Sequence, residues 1–266
     1  MSLLFDVNKS TPLCEIMGRN KSDKGSINIR NSWHNYTTFY YSIFKDIADK
    51  KLRIFELGLG TNDVNIKSNM GVNGRPGASL YGWAEFFKNS QIFGADIDKK
   101  ILFNTDRIHT FYCDQTSPDD IKNMWDNERL LQDKFDIIIE DGLHEPNANV
   151  CFFENSIHKL KNGGYYIIED VATDKKDIYE NIIKEWEVKY PKNKYNFLTI
   201  PSHANIWDNN LIVIKNKKRV KKNNNKHKHK NNETNETNET NETNETNETN
   251  ETNETNETNE TNDKSK

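Results

Sequence analysis

Apolar residues are scarce in this chain. They make up 33% of its 266 residues, against about 45–50% in an ordinary globular composition. The deficit is local. Across 232–261 the tripeptide Asn-Glu-Thr repeats ten times without an apolar side chain, and 215–230 carries nine Lys or Arg, two His and one Val. Such segments cannot offset the entropy of ordering themselves. Residues 215–230 therefore read as a basic linker and 231–266 as a disordered repeat tail. Residues 1–214 hold nearly all the aliphatics and aromatics, enough for one sizeable core.

Other absences exclude whole classes. No apolar run approaches the ~20 residues that span a bilayer, and the opening MSLLFDVNKS is too short in apolar residues for a signal peptide. The three cysteines, Cys14, Cys113 and Cys151, are odd in number and widely spaced. They fit neither a disulfide framework nor a CxxC zinc site, so a reducing cytoplasm is expected. The Asn-Glu-Thr units match glycosylation acceptors, but without a secretory signal the match reads as accidental. Charge of one sign is also lacking. The tail from residue 215 holds eleven basic and eleven acidic residues, so the net −4 belongs to 1–214. A mildly acidic domain is not what duplex binding predicts; the basic run supplies at most weak contact with anionic surfaces.

What is present alternates strand-like and helix-like segments. Residues 33–48 place Tyr36, Phe39, Tyr40, Ile43, Phe44 and Ile47 at helical spacing. Strands are expected at 52–57, 91–96, 108–113, 135–140, 165–169, 195–200 and 210–214. Helices are expected at 79–88, 118–131, 146–160 and 176–190, the third stopped by Gly163-Gly164. The alternation predicts an α/β fold: a mostly parallel Rossmann-like sheet with helices on both faces. Ligands then bind beyond the carboxyl ends of the strands.

The first strand closes on Glu56-Leu57-Gly58-Leu59-Gly60-Thr61, where Gly58 and Gly60 let a backbone turn approach a ligand. The dinucleotide fingerprint is incomplete, because Asp63 stands where its third glycine belongs. The long segment from Thr61 to Ala78 is either a lid or a disordered insertion. Asp96 ends the second strand, placed to accept hydrogen bonds from a ribose diol; Asp98 better fits a helix N-cap. Asp114-Gln115 ends the third strand, as an adenine contact or a helix-start turn. The fourth strand runs into Asp141-Gly142-Leu143-His144 and the fifth into Glu169-Asp170. Adjacent strands would gather these acids and His144 at one rim. Three carboxylates that close repel unless protonated or metal-bound, and oxygen donors with open positions suit Mg²⁺. Singly, each acid reads more plainly as a solvated cap, and a lone loop His as neither ligand nor base.

At these residues the chain resembles class I S-adenosylmethionine-dependent methyltransferases. Within them it is most similar to the metal-dependent sugar O-methyltransferases of macrolide tailoring, the mycinamicin and demethylmacrocin type. The matching stretches are SDKGS (22–26), HNYTTFYYSIF (34–44), FELGLGT (55–61), GASLYGWAEFF (77–87), IFGADI (92–97) and RIHTFYCDQTSP (107–118). The most similar stretch is 135–171, FDIIIEDGLHEPNANVCFFENSIHKLKNGGYYIIEDV. The resemblance implies an antiparallel final strand, a helical or lid segment over 1–50 and a methyltransferase domain over 51–214. It implies a methyl-donor site of Tyr36, Glu56, Gly58, Gly60, Thr61, Asp96, Asp114, Gln115 and Glu140. It assigns the metal to Asp141, Glu169 and Asp170, the general base to His144, and counts Asp141 with His144 as catalytic. Two positions depart from the pattern: Leu143 replaces a small hydroxyl residue and Glu140 replaces an Asp.

The implied chemistry is methyl transfer from S-adenosyl-L-methionine to a hydroxyl of a sugar or glycosylated small molecule. Bound Mg²⁺ would lower the hydroxyl's pKa, and His144 would take its proton. Two readings compete. One is a non-catalytic cofactor-binding module with this fold. The other is a nicotinamide oxidoreductase, which the missing glycine disfavours, as does Asp96 lying 36 residues beyond Gly60. The oligomeric state is left open, a homo-oligomer included.

Overall fold

A computed structural model of the protein describes residues 5–217. The basic run from residue 218 and the Asn-Glu-Thr repeats lie outside the described residues.

Among the described residues seven strands form one sheet: β1 (Arg53–Leu57), β2 (Gln91–Asp96), β3 (Ile108–Tyr112), β4 (Phe135–Glu140), β5 (Leu160–Ile168), β6 (Asn193–Thr199) and β7 (Asn210–Asn216). Their spatial order is β3-β2-β1-β4-β5-β7-β6. The first five pair in parallel, and β7 runs antiparallel to both β5 and β6. This is the expected Rossmann-like methyltransferase sheet with its antiparallel last strand. The order reverses between β1 and β4, the point where an open α/β sheet leaves a crevice at its carboxyl edge.

Among the described residues six α-helices accompany the sheet: α1 (Pro12–Asn20), α2 (Tyr36–Phe44), α3 (Ala78–Phe86), α4 (Pro118–Asn127), α5 (Pro146–Ser156) and α6 (Lys176–Lys189). Their starts are written in the sequence. Thr11 caps α1 and Ser117 caps α4 through their hydroxyl oxygens, and both helices, like α5, open on proline. Strand residues alternate between two cores. Ile54, Ile92, Ile137 and Ile139 meet Tyr36, Tyr40, Leu80 and Trp83 on one face. Phe55, Phe93 and Ile138 meet Trp125, Phe152, Phe153 and Trp186 on the other. Among the described residues no helix is long and apolar enough to cross a membrane.

The strands at 91–96 and 135–140 fall where expected. Three expected helices are shorter: two tighten into 3₁₀ segments at Lys45–Ile47 and Ile157–Lys159, and the third breaks at extended Glu128 before the separate 3₁₀ turn Arg129–Leu131. The fifth strand differs most. Gly163-Gly164 does not stop a helix; it lies inside β5, which begins at Leu160. Phe135 pairs with Leu160 but Ile137 with Tyr165, so β5 bulges there. Gly163, at φ 80°, turns the backbone through that bulge.

Candidate active site

The ends of β1, β4 and β5 finish level. Asp141 N–H donates to Leu57 O at 2.8 Å and Glu169 N–H to Glu140 O at 2.9 Å, setting Gly58, Asp141 and Glu169 side by side. Gly58 has φ 90°, and a Cβ there would lie 1.8 Å from the Asp141 carbonyl oxygen. The glycine is thus required by the neighbouring strand end, apart from any ligand.

Beyond the strand ends the chain turns through His144 (φ 60°) and Asp170 (φ 53°), both left-handed. Non-glycine residues adopt that region at a cost, and such residues cluster at functional sites. The turns aim both side chains at Asp141. His144 Nε2 lies 3.2 Å from Asp141 Oδ1, and Nδ1 lies 3.7 Å from Asp170 Oδ2. The first is a charge contact off the donor direction, leaving Nε2 buried without a hydrogen-bond partner. One atom from each of Asp141, His144 and Asp170 falls within 4.8 Å of the others. Asp170 is further braced by Tyr36, whose hydroxyl donates to Oδ1 at 2.9 Å, and by His34 Nε2 at 3.4 Å.

Burial lowers the His144 pKa, but the carboxylates of Asp170 and Asp141 outweigh it and push the imidazole up to about 9. Burial would raise Asp141; the Lys24 ammonium and His144 overcome it and hold Asp141 well below the usual carboxylate range. Asp170 is raised by burial, against the opposing pull of His144 and His34.

Lys24 is the feature that the sequence reading did not single out. It is 1% exposed, and its Nζ lies 2.5 Å from Asp141 Oδ2 and 3.7 Å from Glu56 Oε1. It also donates to Glu169 Oε2. Glu169 accepts in addition from the Tyr40 hydroxyl at 2.5 Å, and Glu56 from Ser79 and from Trp83 Nε1 at 2.5 Å. One ammonium thus serves three carboxylates, and burial raises both Glu56 and Glu169. Lys24 is 117 positions from Asp141, and nothing local in SDKGS signals that meeting.

A cavity of about 750 Å³ extends from this rim along the sheet edge. Gly58, Gly60, Thr61, Asp96, Asp114 and Gln115 line it together with Asp141, His144 and Asp170. Glu56, Tyr36, Glu140 and Glu169 are not among its lining residues; they stand behind it, buried. Asp96 accepts from Leu59 N–H at 2.7 Å and Asp98 N–H at 2.8 Å, bracing the glycine turn while each oxygen keeps a lone pair. Asp98 caps the short helix Lys99–Ile101 and accepts from Thr61. Asp114 accepts from Thr116 N–H at 2.8 Å, forming a turn before α4. Gln115 donates to Glu140 at 2.6 Å and accepts from Leu143 N–H at 2.8 Å, tying the third strand end to the fourth. Burial pushes Glu140 up to about 8, against hydrogen bonds from Tyr166, Asn149 and Gln115.

The segment between Thr61 and Ala78 is folded over the cavity. Asn62 Nδ2 donates to Gly71 O at 2.6 Å and Gly74 O at 2.9 Å. Ser68 donates to Leu143 O at 3.0 Å, across to the rim. Asn65 through Met70 form the cavity wall.

No protein-family model matches the chain. It is similar to curated methyltransferases. It is 30% identical over 155 residues to 8-demethyl-8-alpha-L-rhamnosyl tetracenomycin-C 2'-O-methyltransferase of Streptomyces olivaceus, covering 58% of this chain and 36% of that protein. It is 33% identical over 141 residues to mycinamicin VI 2''-O-methyltransferase of Micromonospora griseorubida, covering 53% and 32%. The chain therefore spans about a third of the length of the curated relatives it matches. Among solved structures it is similar to the MycE methyltransferase of the mycinamycin biosynthetic pathway, in complex with Mg and SAH. That match has a TM-score of 0.59 at 22% identity, covering 79% of this chain and 56% of that one. In sequence the chain resembles these sugar O-methyltransferases, and it shares the methyltransferase fold.

Proposed function

We propose that the protein is an S-adenosylmethionine-dependent O-methyltransferase, acting with Mg²⁺ on a hydroxyl of a sugar or glycosylated small molecule. One observation carries the reading. Asp141, His144 and Asp170 converge on the wall of a cavity that also takes in the Gly58–Gly60 turn and Asp96. The names of the relatives support the reaction class, and MycE complexes with Mg and SAH support the cofactors. Residues 51–214 would be the transferring unit and 1–50 its lid segment. The three free cysteines fit a reducing cytoplasm.

The donor set fits a hard divalent cation: the carboxylates of Asp141 and Asp170 converge on the cavity wall, with the His144 imidazole beside them. Asp141 and Asp170 would hold it, and Glu169 would join where Lys24 releases it. When bound, Mg²⁺ would lower the acceptor hydroxyl's pKa and fix the orientation of a vicinal diol. Asp96 would take the donor's ribose hydroxyls on its spare lone pairs, and Asp114 and Gln115 would flank the adenine. When bound, S-adenosylmethionine would supply the methyl carbon to the acceptor oxygen, the electron pair of its carbon–sulfur bond passing to sulfur. His144 takes that oxygen's proton. The 61–77 loop shields the reacting atoms from water.

The test is calorimetric binding of S-adenosylmethionine, then methyl transfer to a panel of glycosides with and without Mg²⁺. Donor binding with Mg²⁺-dependent turnover is expected. A protein that binds no donor under any condition would sink the reading.

A further inference from the structure

The mouth of the cavity carries an exposed aromatic pair that the transfer above does not use. Trp33 lines the cavity and stacks on Trp207, with ring centroids 6.1 Å apart and planes 22° from parallel. The two residues are 50% and 62% exposed, whereas Trp83, Trp125 and Trp186 are buried. Two large apolar rings left in water beside a cavity mark a binding surface.

The pair is pre-set by a polar network. Trp33 adjoins His34, whose Nδ1 lies 3.1 Å from Asn209 Oδ1. Asn209 Nδ2 donates to Asn35 Oδ1 at 2.8 Å. Trp207 N–H donates to Asn205 Oδ1 at 3.0 Å, and Trp207 O accepts from Thr173 N–H at 2.6 Å. The far nitrogen of His34 faces Asp170 at 3.4 Å. The backbone that carries both indoles is therefore tied to the acidic rim, which limits the entropy lost when a ligand docks.

We propose that the Trp33–Trp207 pair is the subsite for a pyranose ring of the acceptor. Such a ring has a face of polarised C–H bonds, which suits the negative face of an indole. Its edge of hydroxyls needs acceptors, which Asp170 and Asp141 supply. Stacked on the tryptophans, the ring turns its hydroxyl edge toward His144. The fate of that hydroxyl rests on the methyltransferase reading; the binding of the sugar does not.

The full chain, Trp33→Ala, Trp207→Ala and Trp207→Phe are titrated with a methyl hexopyranoside, the phenyl glycoside of the same sugar, and phenol. Quenching and blue shift of indole emission report binding, over a constant background from the three buried tryptophans. Both glycosides should shift the emission and phenol should not. Each alanine variant should raise the glycoside Kd by about tenfold, the phenylalanine variant far less. The affinity for S-adenosylhomocysteine, by calorimetry, should stay as in the wild type. The proposal is overturned if neither glycoside shifts the emission, or if phenol shifts it as well as its glycoside. It is also overturned if the alanine variants keep the Kd within about twofold. A wild type that sediments as a dimer, and becomes monomeric as Trp207→Ala, would make the pair an interface instead. Absent donor binding would sink the methyltransferase reading and leave this titration readable.

Discussion

Lys24 Nζ lies 2.5 Å from Asp141 Oδ2, so the residue proposed as a metal ligand is already paired with an internal cation. The same ammonium reaches Glu169, and through these bonds the 22–26 segment is drawn under the rim of the sheet. Lys24→Met would leave Asp141, Glu169 and Glu56 without their shared counter-charge. Removing one partner of a buried ion pair costs about 3–5 kcal/mol. The expected result is a marked fall in Tm, part of which Mg²⁺ restores. The Mg²⁺-dependent rise should be larger in the variant than in the wild type. Equal rises would separate Lys24 from the cation site.

The pH profile follows from His144, held up to about 9 by carboxylates that outweigh burial. In the cation-free protein the imidazole is protonated near neutrality and cannot accept a proton. A divalent cation on Asp141 and Asp170 withdraws that support. The rising limb of methyl-transfer rate against pH should lie near 9 at limiting Mg²⁺ and move downward at saturation. For stability, the contribution of this raised base is complete below the unfolded value of 6.5 and is lost as pH rises through about 9. His144→Ala should lower the rate by about 10²–10⁴-fold and leave donor affinity unchanged. A limb that stays fixed across Mg²⁺ concentrations would remove His144 from the role of base.

Asp141→Asn and Asp170→Asn should each weaken Mn²⁺ binding, followed by paramagnetic resonance, by more than roughly tenfold. Glu169→Gln discriminates further. If Lys24 keeps Glu169 to itself, this variant changes Tm far more than it changes Mn²⁺ affinity.

Gly58→Ala tests the contact between strand ends. The added methyl would fall 1.8 Å from Asp141 O, at a φ that L-residues avoid. Backbone strain of this kind costs on the order of 1–3 kcal/mol, and the strand ends must part to relieve it. Both Tm and donor affinity should fall together. A variant with wild-type Tm would show that the two strand ends are not so closely apposed.

The fold was legible wherever periodicity and punctuation agreed. Phe135–Glu140 is a short apolar run bounded by polar residues, and it forms a strand over those residues. Gly163-Gly164 misled because glycine punctuates a helix end and a strand bulge alike, and only pairing with Phe135 and Ile137 decides between them. In the site, Asp141, His144 and Asp170 were legible because they follow strands. Glu56 and Glu140 were also read as ligand-facing, yet each carboxylate is consumed by buried donors behind the cavity. Whether a strand-end acid faces outward depends on which donors await it inside, and those come from other stretches, such as Trp83 for Glu56 and Gln115 for Glu140. Lys24, His34 and Trp207 were missed for the same reason: each acquires its place only through partners remote in the chain.

The span between Lys24 and its partners also orders events during synthesis. Asp141 follows it by 117 positions and Glu169 by 145. As the chain leaves the ribosome, the lysine emerges long before the strands whose ends neutralise it. Burying a bare ammonium would cost several kcal/mol, so its burial waits on the carboxylates of Glu56, Asp141 and Glu169. Docking of the 22–26 segment thus depends on strand ends made 117 and 145 positions later.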